Sequence, residues 1–304
     1  MARAGRPRFD GGVRDESFEI DGVRQVFHVA GRGPYCVAHS GGPGLDWAYL
    51  RSPELEEHFT MVYPEPVGTG ESGRLPGGGY RLATYARFLG AVVDHLDAGP
   101  VYVLGHSYGG FVAQTYALQH LDRVAGLILY STSPYGGAEF WADGMAALEA
   151  YPQRHPDVPE AAAVPGLFRA ALATVADGDD ALSRAFAAAV PLYFADFWAR
   201  RDEFAAFQAG LRMYAEPAGA ADPVPFDVRD RLAELTAPTV VIAGRHDFLA
   251  GPSWARRLAD GIPGARSVTL ERSGHFGHLE QPGAFAEAAA QITRGRPVAR
   301  VSRT

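Results

Sequence analysis

The apolar residues of the chain fall into short runs that alternate with stretches of helical spacing. Nearly uniform apolar runs at 101–104, 124–130 and 239–243 are typical of strands that are buried on both faces. Apolar residues at helical spacing over 82–96 and 111–120 predict helices beside these strands. Strands that alternate with helices of this length predict a mostly parallel, twisted sheet with helices on both faces.

A long helical block interrupts this alternation. From about residue 138 to 211 the chain is rich in alanine, has a helical period broken by prolines, and shows no strand pattern. We therefore predict one α/β core formed by residues 1–133 and 231–304, with a helical cap inserted at 134–230. Further strands are predicted at 17–20, 26–30, 35–39, 60–63 and 267–270, and further helices at 47–58, 252–260 and 282–293.

The strand at 101–104 leads into Gly105-His106-Ser107-Tyr108-Gly109, which matches the G-x-S-x-G nucleophile elbow. A serine on such a strand-to-helix turn is held with strained backbone angles. Glycines are needed two residues to either side because side chains there would collide with neighbouring backbone. The start of the next helix offers N–H groups to a developing anion. The pattern predicts Ser107 as a nucleophile, against the alternative of an ordinary βα turn.

A serine nucleophile needs a base, and the base needs an acid to orient it. In this type of fold the chain order is serine, acid, histidine. Asp247 and His275 each come directly after a predicted strand. Active sites of parallel sheets lie beyond the carboxyl ends of the strands, which is where both residues fall. Asp247 could instead cap the next helix. His246 is a rival for the base, but it precedes the acid in the chain and lies before the last strand. His278 is the rival base near the end of the chain, and we expect it to pack behind the site.

Acyl transfer also needs donors for the oxyanion. The backbone N–H of Tyr108, directly after the nucleophile, is the first candidate. The Gly-rich loop at 40–44 follows the predicted strand at 35–39, and we assign the second donor to the N–H of Gly42. The alternative for this loop is a plain tight turn.

Composition excludes several other classes of protein. The chain of 304 residues is 47% hydrophobic and 21% charged, and its net charge of −7 disfavours binding to nucleic acid or anionic membranes. It contains no lysine, so Schiff-base and P-loop chemistry are excluded. Cys36 is its single cysteine, and neither a cysteine pair nor a His-Glu-x-x-His motif is present, so we expect neither a metal nor a cofactor. We see no signal peptide or membrane span and expect a cytoplasmic protein that acts on a small molecule or short peptide.

Four motifs together resemble the α/β-hydrolase superfamily, and within it the proline iminopeptidase (prolyl aminopeptidase-like) group. They are Gly-Gly-Pro-Gly at 41–44, Gly-Thr-Gly-Glu-Ser at 68–72, Gly-His-Ser-Tyr-Gly-Gly at 105–110 and Gly-His-Phe-Gly-His-Leu-Glu-Gln-Pro at 274–282. The resemblance covers nearly the whole chain in order and implies an α/β-hydrolase fold with an inserted helical cap. It implies the same functional residues as above: Ser107, Asp247 and His275 as the triad, and Gly42 and Tyr108 as oxyanion donors.

The chain departs from that group at two places. Ser40 stands where the group's loop begins with histidine, and Glu65-Pro66-Val67-Gly68 replaces its Asp-Gln-Arg-Gly stretch. The resemblance implies a serine hydrolase that cleaves small amide or peptide substrates through an acyl-enzyme, as a proline iminopeptidase does. Because of the two departures, we keep as alternatives an esterase, lactonase or thioesterase that acts on a small apolar substrate. A cofactor-free lyase and a non-catalytic binding protein of the same fold are further alternatives, although such binding proteins typically lack a triad member.

The predicted cap is acidic and aromatic. Residues 134–230 hold 15 Asp and Glu against 7 Arg, a net charge of −8. The resemblance implies that acidic cap residues hold a substrate amine. Candidates are Asp196, Asp202, Glu203 and Glu216, of which we select Glu203 and Glu216 as substrate-binding residues. The aromatic run over 193–207 is expected mainly to pack the cap. We expect a small uncharged or amine-bearing acyl group to be preferred to an anionic one.

Overall fold

An eight-stranded sheet forms the centre of the computed structural model, which describes residues 12–216 and 224–293. The strands are β1 (Arg14–Ile20), β2 (Val23–Gly31), β3 (Tyr35–His39), β4 (Thr60–Pro64), β5 (Val101–His106), β6 (Val124–Tyr130), β7 (Thr239–Gly244) and β8 (Arg266–Leu270). Their order in the sheet is β1-β2-β4-β3-β5-β6-β7-β8. β2 is antiparallel to both of its neighbours, and all other pairs are parallel. The predicted mostly parallel sheet is confirmed.

Helices cover both faces of this sheet. The α-helices are α1 (Pro53–Glu56), α2 (Leu82–His95), α3 (Tyr108–Gln119), α4 (Ala138–Glu149), α5 (Tyr151–Arg154), α6 (Val164–Ala173), α7 (Asp179–Ala189), α8 (Arg201–Gly210), α9 (Pro252–Gly261), α10 (Gly277–Glu280) and α11 (Pro282–Ala290). Short 3₁₀-helices lie at Ala48–Leu50, Leu121–Arg123, Pro159–Ala163, Thr174–Asp177, Val190–Tyr193, Arg229–Glu234 and Gln291–Thr293.

The two faces of β5 belong to two separate apolar cores. Val101 and Val103 pack with residues of α2, α3 and α9, whereas Tyr102 and Leu104 pack on the side of α1, α11 and the helices between β6 and β7. This alternation follows from the two-residue period of a strand. Both faces are buried, which explains why the strand is apolar throughout its length.

The predicted helix at 47–58 is wrong. The structure has a 3₁₀ turn at Ala48–Leu50 and then the short helix α1, separated by Ser52 in an extended conformation. Pro53 causes this break, because proline disfavours a helical conformation in the residue before it and suits the first turn of a new helix. The hydroxyl of Ser52 then caps α1 by accepting a hydrogen bond from the N–H of Leu55 at 3.3 Å.

Between β6 and β7 the described residues, 134–216 and 224–238, contain helices and turns and no strand. We call residues 134–230 the cap segment. Of two isolated bridges, Leu45 to Met213 connects it to the loop after β3, and Tyr135 to Asp227 joins two residues within it. The predicted division into a core of 1–133 and 231–304 and a cap of 134–230 stays a prediction. Its parts at 1–11, 217–223 and 294–304 lie outside the described residues.

Candidate active site

Ser107 lies on a sharp turn between β5 and α3. Its backbone has φ +56° and ψ −121°, a combination that a residue with a side chain rarely adopts. Surrounding hydrogen bonds hold it there: the N–H of Ser107 donates to the carbonyl of Tyr130 at 2.9 Å. The hydroxyl of Thr132 donates to the carbonyl of Ser107 at 2.8 Å. Stored strain of this kind is typical of a functional position.

The glycines on either side of Ser107 are required by close approach of the backbone. A Cβ on Gly105 would lie 2.3 Å from the carbonyl oxygen of Gly109. A Cβ on Gly109 would lie 2.3 Å from the carbonyl oxygen of His39. No side chain fits at either place, so the G-x-S-x-G spacing reflects packing of the turn against β3 and α3.

Asp247 and His275 form a buried pair. Asp247 Oδ2 accepts a hydrogen bond from His275 Nδ1 at 2.8 Å, and Oδ1 accepts the N–H groups of Leu249 at 2.9 Å and Ala250 at 3.0 Å. Burial would raise the pKa of Asp247, but the imidazole of His275 and these N–H groups outweigh it and hold that pKa below its usual range. Because Nδ1 of His275 carries the proton that faces Asp247, Nε2 is left as the basic nitrogen.

The two rival histidines lie elsewhere. His246 is exposed. His278 is buried, with Nε2 donating to the carbonyl of Tyr49 at 2.8 Å and Nδ1 bonded to the hydroxyl of Tyr130 at 3.0 Å. Burial lowers the pKa of His278 to about 4. Both of its nitrogens are occupied by structural partners, whereas His275 lines the cavity together with Ser107.

The loop after β3 forms part of the wall of the cavity that His275 also lines. It is closed by Ser40, whose hydroxyl donates to the carbonyl of Leu45 at 2.9 Å. Gly42 in this loop and Tyr108 at the first position of α3 both line the cavity. The structure therefore brings together the two predicted oxyanion donors and the predicted triad.

This cavity has a volume of about 420 Å³ and lies between the sheet and the cap segment. Its wall is mostly apolar and includes Phe111, Phe140, Phe168, Phe186, Phe226 and Leu172. Among the described residues that line it, Glu216 is the only acidic one and none is an arginine. The segment 217–223, which the structure does not describe, has no basic residue in its sequence.

The two selected cap acids differ in position. Glu216 lines the cavity, and its carboxyl group accepts a hydrogen bond from the hydroxyl of Tyr85. Glu203 is exposed on α8, pairs with Arg200, and is not part of the cavity wall. The structure therefore does not bring Glu203 to the site. Helical periodicity could not separate the two positions, because Glu216 lies beyond the end of α8 at Gly210 and belongs to no helix.

Glu280 is a buried acid that the sequence pattern did not single out. One carboxyl oxygen accepts the N–H of Gly274 at 2.6 Å, and the other accepts the N–H of Ala195 at 2.8 Å. The N–H of His275 also donates to the carbonyl of Tyr193 at 2.7 Å. Glu280 therefore joins the loop that carries His275 to the cap segment.

The carboxyl of Glu280 should make stability depend on pH. Burial raises its pKa from 4.5 to about 7, although backbone N–H groups and Arg200 oppose the rise. Between these two values the folded protein keeps a proton that the unfolded chain releases, so this group's contribution to stability falls as pH rises. We expect the melting temperature of wild type relative to Glu280→Gln to be highest at or below about pH 4.5, to decrease as the pH rises to about 7, and to stay level above that. A difference that does not change with pH, measured beside the exposed control Glu203→Gln, would contradict this.

Comparison with known proteins identifies the class. The sequence profile of a family described as alpha/beta hydrolase fold matches residues 37–282. The chain belongs to this family and is a hydrolase, as the fold and the Ser107 elbow lead one to expect.

Individual relatives are hydrolases of several kinds. A 2-hydroxy-6-oxononadienedioate/2-hydroxy-6-oxononatrienedioate hydrolase of Cupriavidus pinatubonensis is 30% identical over 265 residues, which are 84% of this chain and 85% of the relative. Among solved structures, an esterase from Thermogutta terrifontis is 24% identical with a TM-score of 0.67, covering 92% of this chain and 98% of that one. An enol-lactonase from Burkholderia xenovorans is 22% identical with a TM-score of 0.67, covering 91% and 99%. These two show likeness of fold. None of the three is named as an aminopeptidase.

Two other expectations concern membranes and metals. No helix within 12–216 and 224–293 is long and apolar enough to cross a membrane. Over the same residues, no group of three or more His, Cys, Asp or Glu side chains is arranged to hold a metal ion. The absence of a cofactor and the cytoplasmic location stay predictions.

Proposed function

We propose that this protein is a serine hydrolase of neutral carboxylic esters or lactones with an apolar acyl group. The observation that carries the proposal is the cavity: Ser107 and His275 open into a mostly apolar space with no described arginine in its wall. A thioester of the same shape would use the same machinery. The narrower aminopeptidase activity is less well supported, since one acid rather than a pair faces the cavity among the described residues.

The geometry supports acyl transfer in two stages. Ser107 Oγ attacks the carbonyl carbon while His275 Nε2 takes the hydroxyl proton, and Asp247 stabilises the imidazolium that forms. The N–H groups of Gly42 and Tyr108 stabilise the negative oxygen of the tetrahedral intermediate. His275 gives its proton to the departing alcohol, which leaves an acyl group on Ser107. Water, deprotonated by His275, then attacks the acyl-enzyme and releases the acid.

The cavity wall argues against an anionic substrate. The Cupriavidus relative is named for a dienedioate, a molecule with two carboxylates. A carboxylate that enters an apolar site loses its hydrating water, and without a cationic partner nothing replaces it. This desolvation costs several kcal/mol for each carboxylate. Since the described wall offers Glu216 and no arginine, we do not extend the relative's substrate to this chain.

Glu216 supports one second candidate, an acyl group that carries an amine. A carboxyl group in a mostly apolar wall would attract an ammonium group and repel a carboxylate. Proline arylamide and its N-acetyl derivative separate the two activities. A preference for the free amine that Glu216→Gln removes would support the aminopeptidase, whereas faster turnover of neutral esters supports the esterase.

Two esters of equal acyl length test the preference for neutral substrates. We expect kcat/KM for p-nitrophenyl butyrate to exceed that for p-nitrophenyl hemisuccinate by about 100-fold or more, which corresponds to roughly 3 kcal/mol of uncompensated desolvation. Glu216→Gln should reduce this ratio by raising kcat/KM for the hemisuccinate. Glu203→Gln, which changes an acid outside the cavity, is the matched control and should leave the ratio unchanged. Equal rates for the two esters, or a faster hemisuccinate reaction, would contradict the proposal.

A further inference from the structure

A chain of hydrogen bonds runs behind the candidate site from the oxyanion loop to the loop of the base. The N–H of Gly41 donates to the hydroxyl oxygen of Tyr49 at 2.7 Å. That oxygen lies 2.6 Å from His106 Nδ1. His106 Nε2 lies 3.0 Å from the carbonyl oxygen of His275. The chain thus connects the residue next to Gly42 with the backbone of the base.

The direction of every bond in this chain is fixed by chemistry. A carbonyl oxygen only accepts, so His106 Nε2 must carry the proton that faces His275. Burial lowers the pKa of His106 well below its usual range, and neighbouring His275 and His278 add to this effect. The ring is therefore neutral, and its Nδ1 accepts from the hydroxyl of Tyr49. The Tyr49 oxygen keeps a lone pair for the N–H of Gly41.

Both side chains are buried. Tyr49 is 8% exposed and His106 is fully buried. The His106 ring lies against the rings of His275 and Tyr130, with centroid distances of 4.7 and 4.5 Å. Leaving a buried polar group without a hydrogen-bond partner costs free energy. The bonds that join Gly41, Tyr49, His106 and His275 are therefore expected to form together in the folded protein.

We propose that Tyr49 and His106 are positioning residues that fix the oxyanion loop relative to His275. The inference rests on the proposed hydrolase function, because it assigns roles to Gly42 and His275. Neither side chain touches the reacting atoms: Tyr49 acts through Gly41, and His106 acts through the backbone of His275. Correct placement matters because misplacing a catalytic group by about 1 Å can reduce a rate by about 100-fold.

A matched pair of tyrosine hydroxyls allows a sharp test. The hydroxyl of Tyr130 is also buried, and it also binds a histidine Nδ1 and a backbone N–H, in its case both from His278. Tyr49→Phe and Tyr130→Phe therefore delete equivalent groups, and we expect similar losses of melting temperature. Only Tyr49→Phe should disturb the oxyanion loop.

The measurement is the second-order rate of labelling by a fluorophosphonate, in which Ser107 Oγ bonds to phosphorus and fluoride leaves. We expect Tyr49→Phe to slow labelling by about 10- to 100-fold, and Tyr130→Phe to stay within about threefold of wild type. In ester turnover, Tyr49→Phe should lower kcat and leave KM within about twofold. The double variant with His106→Leu should lose no more than the larger single loss, since both residues belong to one chain.

The outcomes distinguish this inference from the proposed function. If wild type is not labelled, the serine hydrolase proposal fails. If wild type is labelled and Tyr49→Phe reacts at the same rate, or both phenylalanine variants slow equally, the positioning role is wrong. Independent, additive losses in Tyr49→Phe and His106→Leu would also overturn it.

Discussion

Ser107→Ala should abolish ester turnover while the protein stays folded. The change removes one oxygen from a partly exposed side chain, and the turn is held by backbone and Thr132 hydrogen bonds that alanine keeps. Triad members act as a unit, so we expect kcat to fall by about 10⁴-fold or more. Steady-state hydrolysis of p-nitrophenyl butyrate and the melting temperature of the same sample measure the two effects. Ser253→Ala, an exposed serine of α9, is the control.

The two histidines near the end of the chain extend this test. His275→Ala should match the loss in Ser107→Ala, because it removes the base. His278→Ala should mainly lower the melting temperature, because the imidazole of His278 makes hydrogen bonds to Tyr49 and Tyr130 and does not line the cavity. If His278→Ala proved the more damaging to kcat, the assignment of the base would be wrong.

Asp247→Asn should lower kcat by about 10⁴-fold, although the new side chain has the same shape. Oδ1 of Asp247 accepts two backbone N–H groups, so the carbonyl oxygen of asparagine must occupy that place. Its NH₂ group then faces His275 Nδ1 and donates to it. The imidazole is forced to carry its proton on Nε2, where it can no longer accept the proton of Ser107.

Two observations check this explanation of the Asp247 variant. Asp196→Asn, which changes an exposed acid of the cap segment, should leave kcat near that of wild type. Asp247→Asn should keep its KM for the neutral ester within a few-fold, because Asp247 does not line the cavity. A loss of less than about tenfold in Asp247→Asn would show that the acid does not set the tautomer of His275.

The sequence was sufficient to predict features that follow from a local pattern of apolar residues, or from positions where a side chain would collide with the backbone. β5, β6 and β7 are buried on both faces, so their apolar runs are evident without a structure. The elbow is evident because Gly105 and Gly109 have no room for a side chain. The expected order of serine, acid and histidine along the chain then selected Asp247 and His275. In the structure, Asp247 Oδ2 and His275 Nδ1 lie 2.8 Å apart.

Features that depend on distant contacts could not be predicted. Tyr49 was expected inside one continuous helix, and its hydroxyl bonds His106, which is 57 positions away. Glu280 belongs to the motif at 274–282, but its bond to the N–H of Ala195 could not be predicted because the two residues are 85 positions apart. Nothing in the helical period of the cap segment indicates that Glu216 faces the cavity and Glu203 faces solvent.

Partitioning between water and methanol tests the central claim, hydrolysis of neutral esters through an acyl-enzyme on Ser107. Ethyl, phenyl and p-nitrophenyl butyrate would be hydrolysed in the same dilute methanol, and the ratio of methyl butyrate to butyrate measured for each. All three esters form one butyryl-enzyme, so we predict one ratio whatever the leaving group. A ratio that changes with the leaving group, or no turnover of any of the three esters, would contradict the account.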